Sequence, residues 1–327
     1  MLSKIIIKGL FHLYDYDIDL TNADGGLAKF ITAPNGYGKT TLLNFINNVM
    51  TEDYSILFVT PFDEFNLIYN EANGDSQNII SIKKHVIQDE QNDDSDENVI
   101  KATRLQISLA KTNGESITTI EQFSMVKNGD YCITKEGNNN NVNMFFASRT
   151  CHYITDSRLL KVKSDEISEK SHLDILDLRK YAIDLKGILR DPEKKELYEK
   201  QIKTFKTVIN RCDYANKRME IDERFGFRFV ANDDVETKLS LDQLSSGEKH
   251  MLIQVYELLF IAQEGTLVLI DEPELSLHMM WQMTYLKNLE EILNVRRFQC
   301  IVATHSPQIF NSLWSKSVDL YKLSKVQ

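Results

Sequence analysis

Four cysteines in 327 residues, Cys132, Cys151, Cys212 and Cys300, stand far apart and form no C-x-x-C pair. That spacing excludes a zinc ribbon or zinc hook, which need closely paired thiolates, and it offers no disulfide framework. The cysteines read as reduced thiols of a cytoplasmic protein. No apolar run approaches the roughly 18 residues that a membrane-spanning helix requires, so no membrane partner is expected. The N-terminus, Met1-Leu2-Ser3-Lys4-Ile5-Ile6-Ile7-Lys8, is too short for a signal peptide and reads as a strand. No internal repeat of about 20–50 residues is present. Positive charge is in the minority, 38 Lys and Arg against 48 Asp and Glu, for a net charge of −10. A chain that coats nucleic acid with its whole surface is thereby excluded, although a local basic patch is not. There is no nuclease-like cluster of histidines and no second acidic metal site.

What the sequence does carry begins at Ala33-Pro34-Asn35-Gly36-Tyr37-Gly38-Lys39-Thr40-Thr41. An apolar run, Leu27 to Ile31, precedes it, and Leu42-Leu43-Asn44-Phe45-Ile46 follows, which is the order strand, tight loop, helix. A phosphate-binding loop needs a glycine-rich bend, backbone N–H groups at a helix N-terminus, a lysine for the β/γ-phosphates and a hydroxyl for Mg²⁺. Residues Asn35 to Thr41 fit these roles, with Lys39 on phosphate and Thr40 on the metal. One position departs, because the pattern opens with glycine and here it is Ala33. The plain alternative is a glycine-containing turn before an ordinary helix.

Along the chain, β-like runs are expected at Lys4–Ile7, Leu13–Leu20 and Leu27–Ile31, then a helix from Thr40 to Met50. Further extended runs are expected at Ser55–Val59, Asn66–Tyr69, Ile79–Val86, Leu105–Leu109, Ser116–Ile120, Met144–Ser148 and Tyr153–Thr155, with loops at Gly137–Asn141 and at the acidic stretch Gln88–Asn98. From Ser164 to Glu223 the pattern turns helical and mixed in charge. Leu173, Ile175, Leu176, Leu178 and Tyr181 give one amphipathic stretch, and Tyr198, Ile202, Phe205 and Ile209 a second. The division expected is a lobe at 1–157 holding the phosphate loop and a β-subdomain, a helical insertion at 158–224, and a second lobe at 225–327 beginning with a strand at Phe225–Val230.

The second lobe holds three further features. Leu244-Ser245-Ser246-Gly247-Glu248 opens a helix, and Ser245 and Glu248 have the S-x-x-E spacing of a capping box. That is an ordinary helix start, and the same N–H groups and hydroxyl would also hold a γ-phosphate. Since the phosphate loop of the same chain already grips a nucleotide, this end serves one bound on another subunit. Next, Thr266-Leu267-Val268-Leu269-Ile270 is a solid apolar strand, buried on both faces, that ends in Asp271-Glu272-Pro273-Glu274. Chemistry in such sheets sits at the carboxyl ends of strands, which puts Asp271 on Mg²⁺ and Glu272 on the attacking water. Finally, Phe298 to Ala303 is another buried strand with His305 just past its end. A lone histidine is usually structural, but its position parallels that of Glu272 and points to the γ-phosphate or the water.

Taken together, Lys39, Ser245, Glu272 and His305 come in the order of the ATP-binding-cassette superfamily. The long interval from Lys39 to Ser245, and the short ones after it, resemble the SMC/RecF-like branch. Asp271-Glu272-Pro273-Glu274-Leu275-Ser276-Leu277-His278 and Ala303-Thr304-His305-Ser306-Pro307 look most like the ATPases of OLD-type proteins and of Septu- and retron-associated anti-phage systems. The resemblance implies an α/β fold with a mixed or parallel core sheet around the P-loop, an N-terminal antiparallel β-subdomain and a helical insertion. It implies ATP and Mg²⁺ as cofactors and a head-to-tail homodimer, in which Lys39 and Asp271 of one subunit face Ser245 and Gly247 of the other across a loop bearing Ser276 and His278. The chain departs from the pattern at Ser246, where glycine is commoner, at Glu248, where glutamine is common, and at Pro61-Phe62-Asp63, where a glutamine loop is expected. Arg149 or Arg158 could reach the nucleotide, and neither is assigned to the site. The chain ends at Gln327, shortly past His305 and with no Toprim domain, so an effector such as a nuclease is expected to act in trans. The expectation is the sensor subunit of a defence system. A RecF-like DNA-clamping ATPase is the alternative, drawing on the basic residues Lys194, Lys195, Lys200, Lys203, Lys206, Arg211, Lys217 and Arg218. A transporter subunit fits the spacing poorly.

Overall fold

The computed structural model describes residues 1–71, 76–87, 102–113, 116–128, 132–155, 167–212, 214, 216–233 and 235–324. The acidic stretch Gln88–Asn98, Arg158 and the side chains of Leu173, Ile175 and Leu176 lie outside what is described. The chain forms two compact units, Met1–His152 with Ser315–Gln327, and Tyr153–Trp314.

In the first unit the order is β1 (Leu2–Leu10), β2 (Tyr14–Asp19), β3 (Ala28–Thr32), α1 (Lys39–Met50), α2 (Ser55–Val59), β4 (Glu64–Asn70), β5 (Ser76–Ile87), β6 (Ala102–Asn113), β7 (Ser116–Asn128), β8 (Cys132–Glu136) and α3 (Asn140–Ala147). Seven strands make one antiparallel sheet in the order β2-β1-β4-β5-β6-β7-β8. Alternation sets its buried face: Ile5 and Ile7 of β1, Phe65 and Leu67 of β4, and Leu105 and Ile107 of β6 are all buried, while their neighbours are more open. By contrast β3 is buried at every position, as a strand covered on both faces should be. Helix α1 buries Leu42, Leu43, Phe45, Ile46, Val49 and Met50, one apolar stripe at helical spacing.

Two segments expected to be extended are helical. Ser55–Val59 forms α2 although three of its five residues favour strands. Asp53 accepts from Ser55 N–H at 3.0 Å at one end, and at the other the Lys84 ammonium, from β5, donates to the carbonyls of Leu57, Phe58 and Thr60 at 2.9, 2.7 and 2.7 Å. Residues 140–147 form α3 instead of a loop and a buried strand. Glu121 of β7 accepts from Val142 N–H at 2.9 Å and so caps this helix, and Met144 points outward. In both cases the stabilising group comes from a distant strand, so local propensity loses.

The second unit takes up β9 (Cys151–Thr155) from Tyr153 onward, then α4 (Ile167–Arg190), α5 (Pro192–Leu197), α6 (Glu199–Arg211), β10 (Lys217–Asp222), β11 (Gly226–Ala231), β12 (Lys238–Leu239), α7 (Ser246–Tyr256), β13 (Leu267–Asp271), α8 (Met279–Val295) and β14 (Gln299–Thr304). The helical stretch includes one helix of 24 residues, and the helical character ends earlier than Glu223, because Lys217–Asp222 pairs with β11 as a hairpin. Helix α7 runs on into a π-helical turn at Glu257–Ile261. Its aromatic side packs against the helical layer: Tyr256 stacks on Tyr181 with ring centres 4.3 Å apart, and Phe205 meets Phe227 and Phe260 edge-on at 5.7 Å each. Strands β13 and β14 are parallel, with Asp271 opposite Ala303. The chain then returns to the first unit, where β15 (Ser317–Asp319) lies parallel to β3 and α9 (Leu320–Leu323) follows. The fold is thus α/β, with parallel pairing at the strands that bear the motifs and a separate antiparallel sheet. Among the described residues no helix is long and apolar enough to cross a membrane.

Candidate functional site

In the first unit the loop after β3 leads directly into α1. Gly38 is the residue before the helix and takes φ 82°, the left-handed region. A Cβ there would lie 2.7 Å from Leu10 Cδ2, so backbone conformation and space both demand glycine. Gly36 also has positive φ, 90°, whereas Ala33 does not, which explains why alanine is tolerated where the pattern has glycine. Lys39 is buried, and its ammonium donates to the carbonyls of Ala33 at 3.0 Å and Pro34 at 3.3 Å. Asn35 and Thr40 are exposed, Thr41 is half-buried, and no acidic residue stands in the first turn to oppose an anion at the helix end.

Tyrosines hold this loop in place. The Tyr16 hydroxyl donates to the Tyr37 carbonyl at 3.1 Å. The Tyr37 ring lies 5.4 Å from both Tyr14 and Tyr321. Burial pushes the Tyr16 phenol well above its ordinary range, so it remains a donor at any physiological pH. Pro61-Phe62-Asp63 contributes packing: Phe62 is buried edge-on against Phe45, and Pro61 accepts from Phe11 N–H at 2.9 Å. Arg149 is engaged by Phe145, lying over its ring at 3.8 Å and donating to its carbonyl at 2.7 Å.

In the second unit β13 and β14 bring their ends together. Asp271 is buried and lies 3.4 Å from the Tyr153 hydroxyl. Glu272 turns out of the strand with φ 45° and ψ 55°, a left-handed conformation that costs a non-glycine residue about 1–3 kcal/mol. Its N–H donates to the Ala303 carbonyl at 2.8 Å, which fixes the turn against β14. Directly across, His305 Nδ1 lies 3.7 Å from Glu272 Oε1 and 3.1 Å from Glu274 Oε1. The side chains of Glu272 and His305 stay 22% and 39% exposed, so both reach solvent from a buried base. Ser276 closes the short helical turn that starts at Pro273. His278 is exposed and caps α8, its Nδ1 accepting from Met280 N–H at 3.3 Å.

Elsewhere in this unit Ser245 caps α7. Its hydroxyl accepts from Glu248 N–H at 3.3 Å and Glu248 Oε2 accepts from Ser245 N–H at 2.7 Å, the reciprocal box expected of the spacing. Ser245 and Ser246 are exposed, Gly247 is half-buried, and Leu244 and Glu248 are buried. The Glu248 carboxylate thus faces inward. Among the described residues no three His, Cys, Asp or Glu side chains cluster as a metal cage. The sequence reading assigned no role to Glu274, Gln282 or Tyr153. Glu274 lies three residues past Asp271 in an acidic run, which was a usable signal; Gln282 and Tyr153 carry none.

Residues 151–311 match the family described as "AAA domain, putative AbiEii toxin, Type IV TA system". The match spans just under half of the chain, and over that span the likeness is to an AAA-type domain. Two curated proteins are similar over shorter stretches. Protein ea59 of Escherichia phage lambda is 35% identical over 89 residues, which is 25% of this chain and 17% of that protein. The retron Ec83 probable ATPase of Escherichia coli is 36% identical over 104 residues, 28% of this chain and 18% of that one. The matched stretches are therefore less than a fifth of either relative's length. Among solved structures, the SMC head domain from Thermotoga maritima aligns with a TM-score of 0.47 at 12% identity, covering 95% of this chain and 91% of that one. An Smc head domain with an extended coiled coil, bound to the C-terminal domain of ScpA and derived from Pyrococcus furiosus, gives 0.44 at 11%, covering 94% and 90%.

Proposed function

We propose that this chain is an ATP hydrolase that works as a homodimer closed on ATP. The observation that carries the reading is the convergence of Glu272 and His305, two polar side chains raised from buried parallel strands and held 3.7 Å apart. Glu272 accepts a proton of the attacking water and aligns its oxygen, and His305 steadies the same water or the γ-phosphate. The loop from Asn35 to Thr41 wraps the phosphates. Two left-handed glycines open its backbone toward an anion, and Lys39 and the end of α1 supply positive potential. Thr40 and the buried carboxylate of Asp271 are the donor types that suit Mg²⁺, which would neutralise charge on the β- and γ-oxygens.

Ser245, Ser246 and Gly247 sit at an outward-facing helix end and serve the partner subunit's nucleotide, with Ser276 and His278 in the loop between the two sites. ATP then acts as the contact between subunits, present only in the closed state. A defence role with an effector in trans, such as a nuclease, is supported by the likeness to a retron protein described as a probable ATPase. The RecF-like alternative draws less support, because Lys194, Arg211, Lys217 and Arg218 are each engaged with acidic side chains of the same unit.

The test is Glu272→Gln. Turnover should fall by about 10²-fold or more while ATP stays bound and the dimer accumulates on size-exclusion with light scattering. Lys39→Ala should bind no ATP. Wild-type hydrolysis by Glu272→Gln would refute the assignment.

A further inference from the structure

Glu274 has no part in the mechanism above, yet its carboxylate is only 3% exposed and is held from several sides. One oxygen, Oε1, accepts from the Thr304 hydroxyl at 2.5 Å, from His305 N–H at 2.7 Å and from Ser306 N–H at 3.2 Å. The same atom lies 3.1 Å from His305 Nδ1. The other oxygen, Oε2, is buried and accepts no hydrogen bond among the described residues. A carboxylate retained for stability alone would satisfy both oxygens, because a buried unsatisfied acceptor costs about 1–3 kcal/mol, and more when charged. Glu274 instead concentrates its contacts on the end of β14, where His305 begins.

We propose that Glu274 is the positioning residue of His305: it holds the imidazole with Nδ1–H turned inward and presents Nε2 outward as a bare acceptor. The argument is electrostatic. A lone pair on Nδ1 would face two carboxylate oxygens, Glu274 at 3.1 Å and Glu272 at 3.7 Å, and be repelled by both. A proton on Nδ1 turns both contacts into attractions. A neutral imidazole carries one N–H, so Nε2 is then left with its lone pair. In water the neutral ring favours the opposite tautomer, with the proton on Nε2, so the protein imposes this one. Glu274 does more of this than Glu272, because it is nearer, more deeply buried and pinned by three donors. A second brace supports the geometry: Gln282 accepts from the Ser306 hydroxyl at 3.0 Å and donates to the Leu277 carbonyl at 3.1 Å, tying the histidine loop to the turn that carries Glu274. Nε2 is thereby free to accept a hydrogen bond from the attacking water, which Glu272 also orients. This last step rests on the proposed hydrolase reading; the tautomer does not.

The experiment is ¹⁵N NMR of the full chain labelled at histidine, at about pH 8, where an ordinary imidazole is neutral. His305 is assigned by the loss of its signals in His305→Gln. We expect Nδ1 protonated and Nε2 bare. A ring protonated on Nε2, alone or together with Nδ1, overturns the proposal. In Glu274→Gln, which keeps an acceptor for the backbone but removes the charge, the tautomer should shift toward Nε2–H. Turnover should drop by about tenfold or more, with KM for ATP within about twofold of wild type. The double variant Glu274→Gln/His305→Gln should be no slower than His305→Gln alone. An unchanged tautomer in Glu274→Gln, or additive losses in the double variant, would also overturn it. If the hydrolase reading itself fails, the kinetic comparisons vanish for every variant, while the spectrum, which needs no ATP, still decides on Glu274.

Discussion

Lys217 Nζ lies 2.8 Å from Oε1 and 3.0 Å from Oε2 of Glu248, a carboxylate that also accepts from Ser245 N–H at 2.7 Å. A strand of the hairpin therefore grips the first turn of α7 from behind, while the Ser245 hydroxyl remains at the exposed end. Stability and the proposed contact with the partner subunit's nucleotide are separable here. Lys217→Met should lower stability by on the order of 2 kcal/mol, because it strands a carboxylate only 5% exposed; a fully buried pair would cost about 3–5. Ser245→Ala should cost only about 1 kcal/mol, the worth of one cap. ATP-dependent association should respond in the opposite order, lost in Ser245→Ala and retained in folded Lys217→Met. Urea titration and light scattering with ATP measure the two effects. Equal association by both variants would remove Ser245 from the partner's site.

Gly38 and Ala33 make a second contrast. Gly38→Ala places a Cβ 2.7 Å from Leu10 Cδ2 on a backbone with φ 82°. A loss of about 1–3 kcal/mol from strain and overpacking is expected, together with loss of nucleotide binding as the loop is displaced. Ala33→Gly restores the residue of the common pattern, but the position needs no left-handed backbone. Its expected effect is an unchanged affinity and a small loss of stability, about 0.5–1 kcal/mol, from chain entropy. Calorimetric titration with ATP distinguishes the two.

How far such features were legible depended on whether their cause was local. The strand, glycine bend and helix around Lys39 are written in consecutive residues, and so are the apolar run ending at Asp271 and the box at Ser245. Helices α2 and α3 were not legible, because Lys84 and Glu121 reach them from strands far along the chain. Lys217 and Arg218 read as part of a basic helix, and only the pairing of β10 with β11 shows them on a strand facing Glu248 and Glu236. The carboxyl group of Glu274 was visible in the acidic run, but its attachment to the end of β14 depends on the parallel register that sets Asp271 opposite Ala303.

Lys84 supplies a pH-dependent effect. Burial pulls its ammonium down to about 8 from an ordinary value of 10.5, while three carbonyls of the α2 turn accept from it. The native pKa lies below the unfolded one, so between these values the unfolded chain binds the extra proton. Stability due to this group therefore rises as pH goes from about 8 to 10.5 and is flat below 8. Thermal melts of wild type and Lys84→Met across that range should diverge, with wild type gaining relative to the variant at the alkaline end. A constant difference would show that the lysine titrates near its ordinary value in the folded protein.

The basic residues of residues 194–218 decide between hydrolase alone and hydrolase on DNA. Lys194 faces Asp191, Arg211 donates to Asn288 and Glu291, Lys217 is held by Glu248, and Arg218 by Glu220 and Glu236. Each of these charges is already compensated within its own unit, and releasing one to bind phosphate would leave an acid behind. Lys203 and Lys206 line an open groove of about 810 Å³ with Lys195, but Glu199, Asp222 and Glu223 line it too. A duplex laid there would meet acids among the lysines, and phosphate contacts would be few. Binding to duplex DNA at about 150 mM salt should accordingly be undetectable by fluorescence anisotropy, and the double reversal Lys203→Glu/Lys206→Glu should leave ATP turnover unchanged. Tight binding whose log–log salt slope becomes shallower by about 2 in that variant would instead put DNA in the groove.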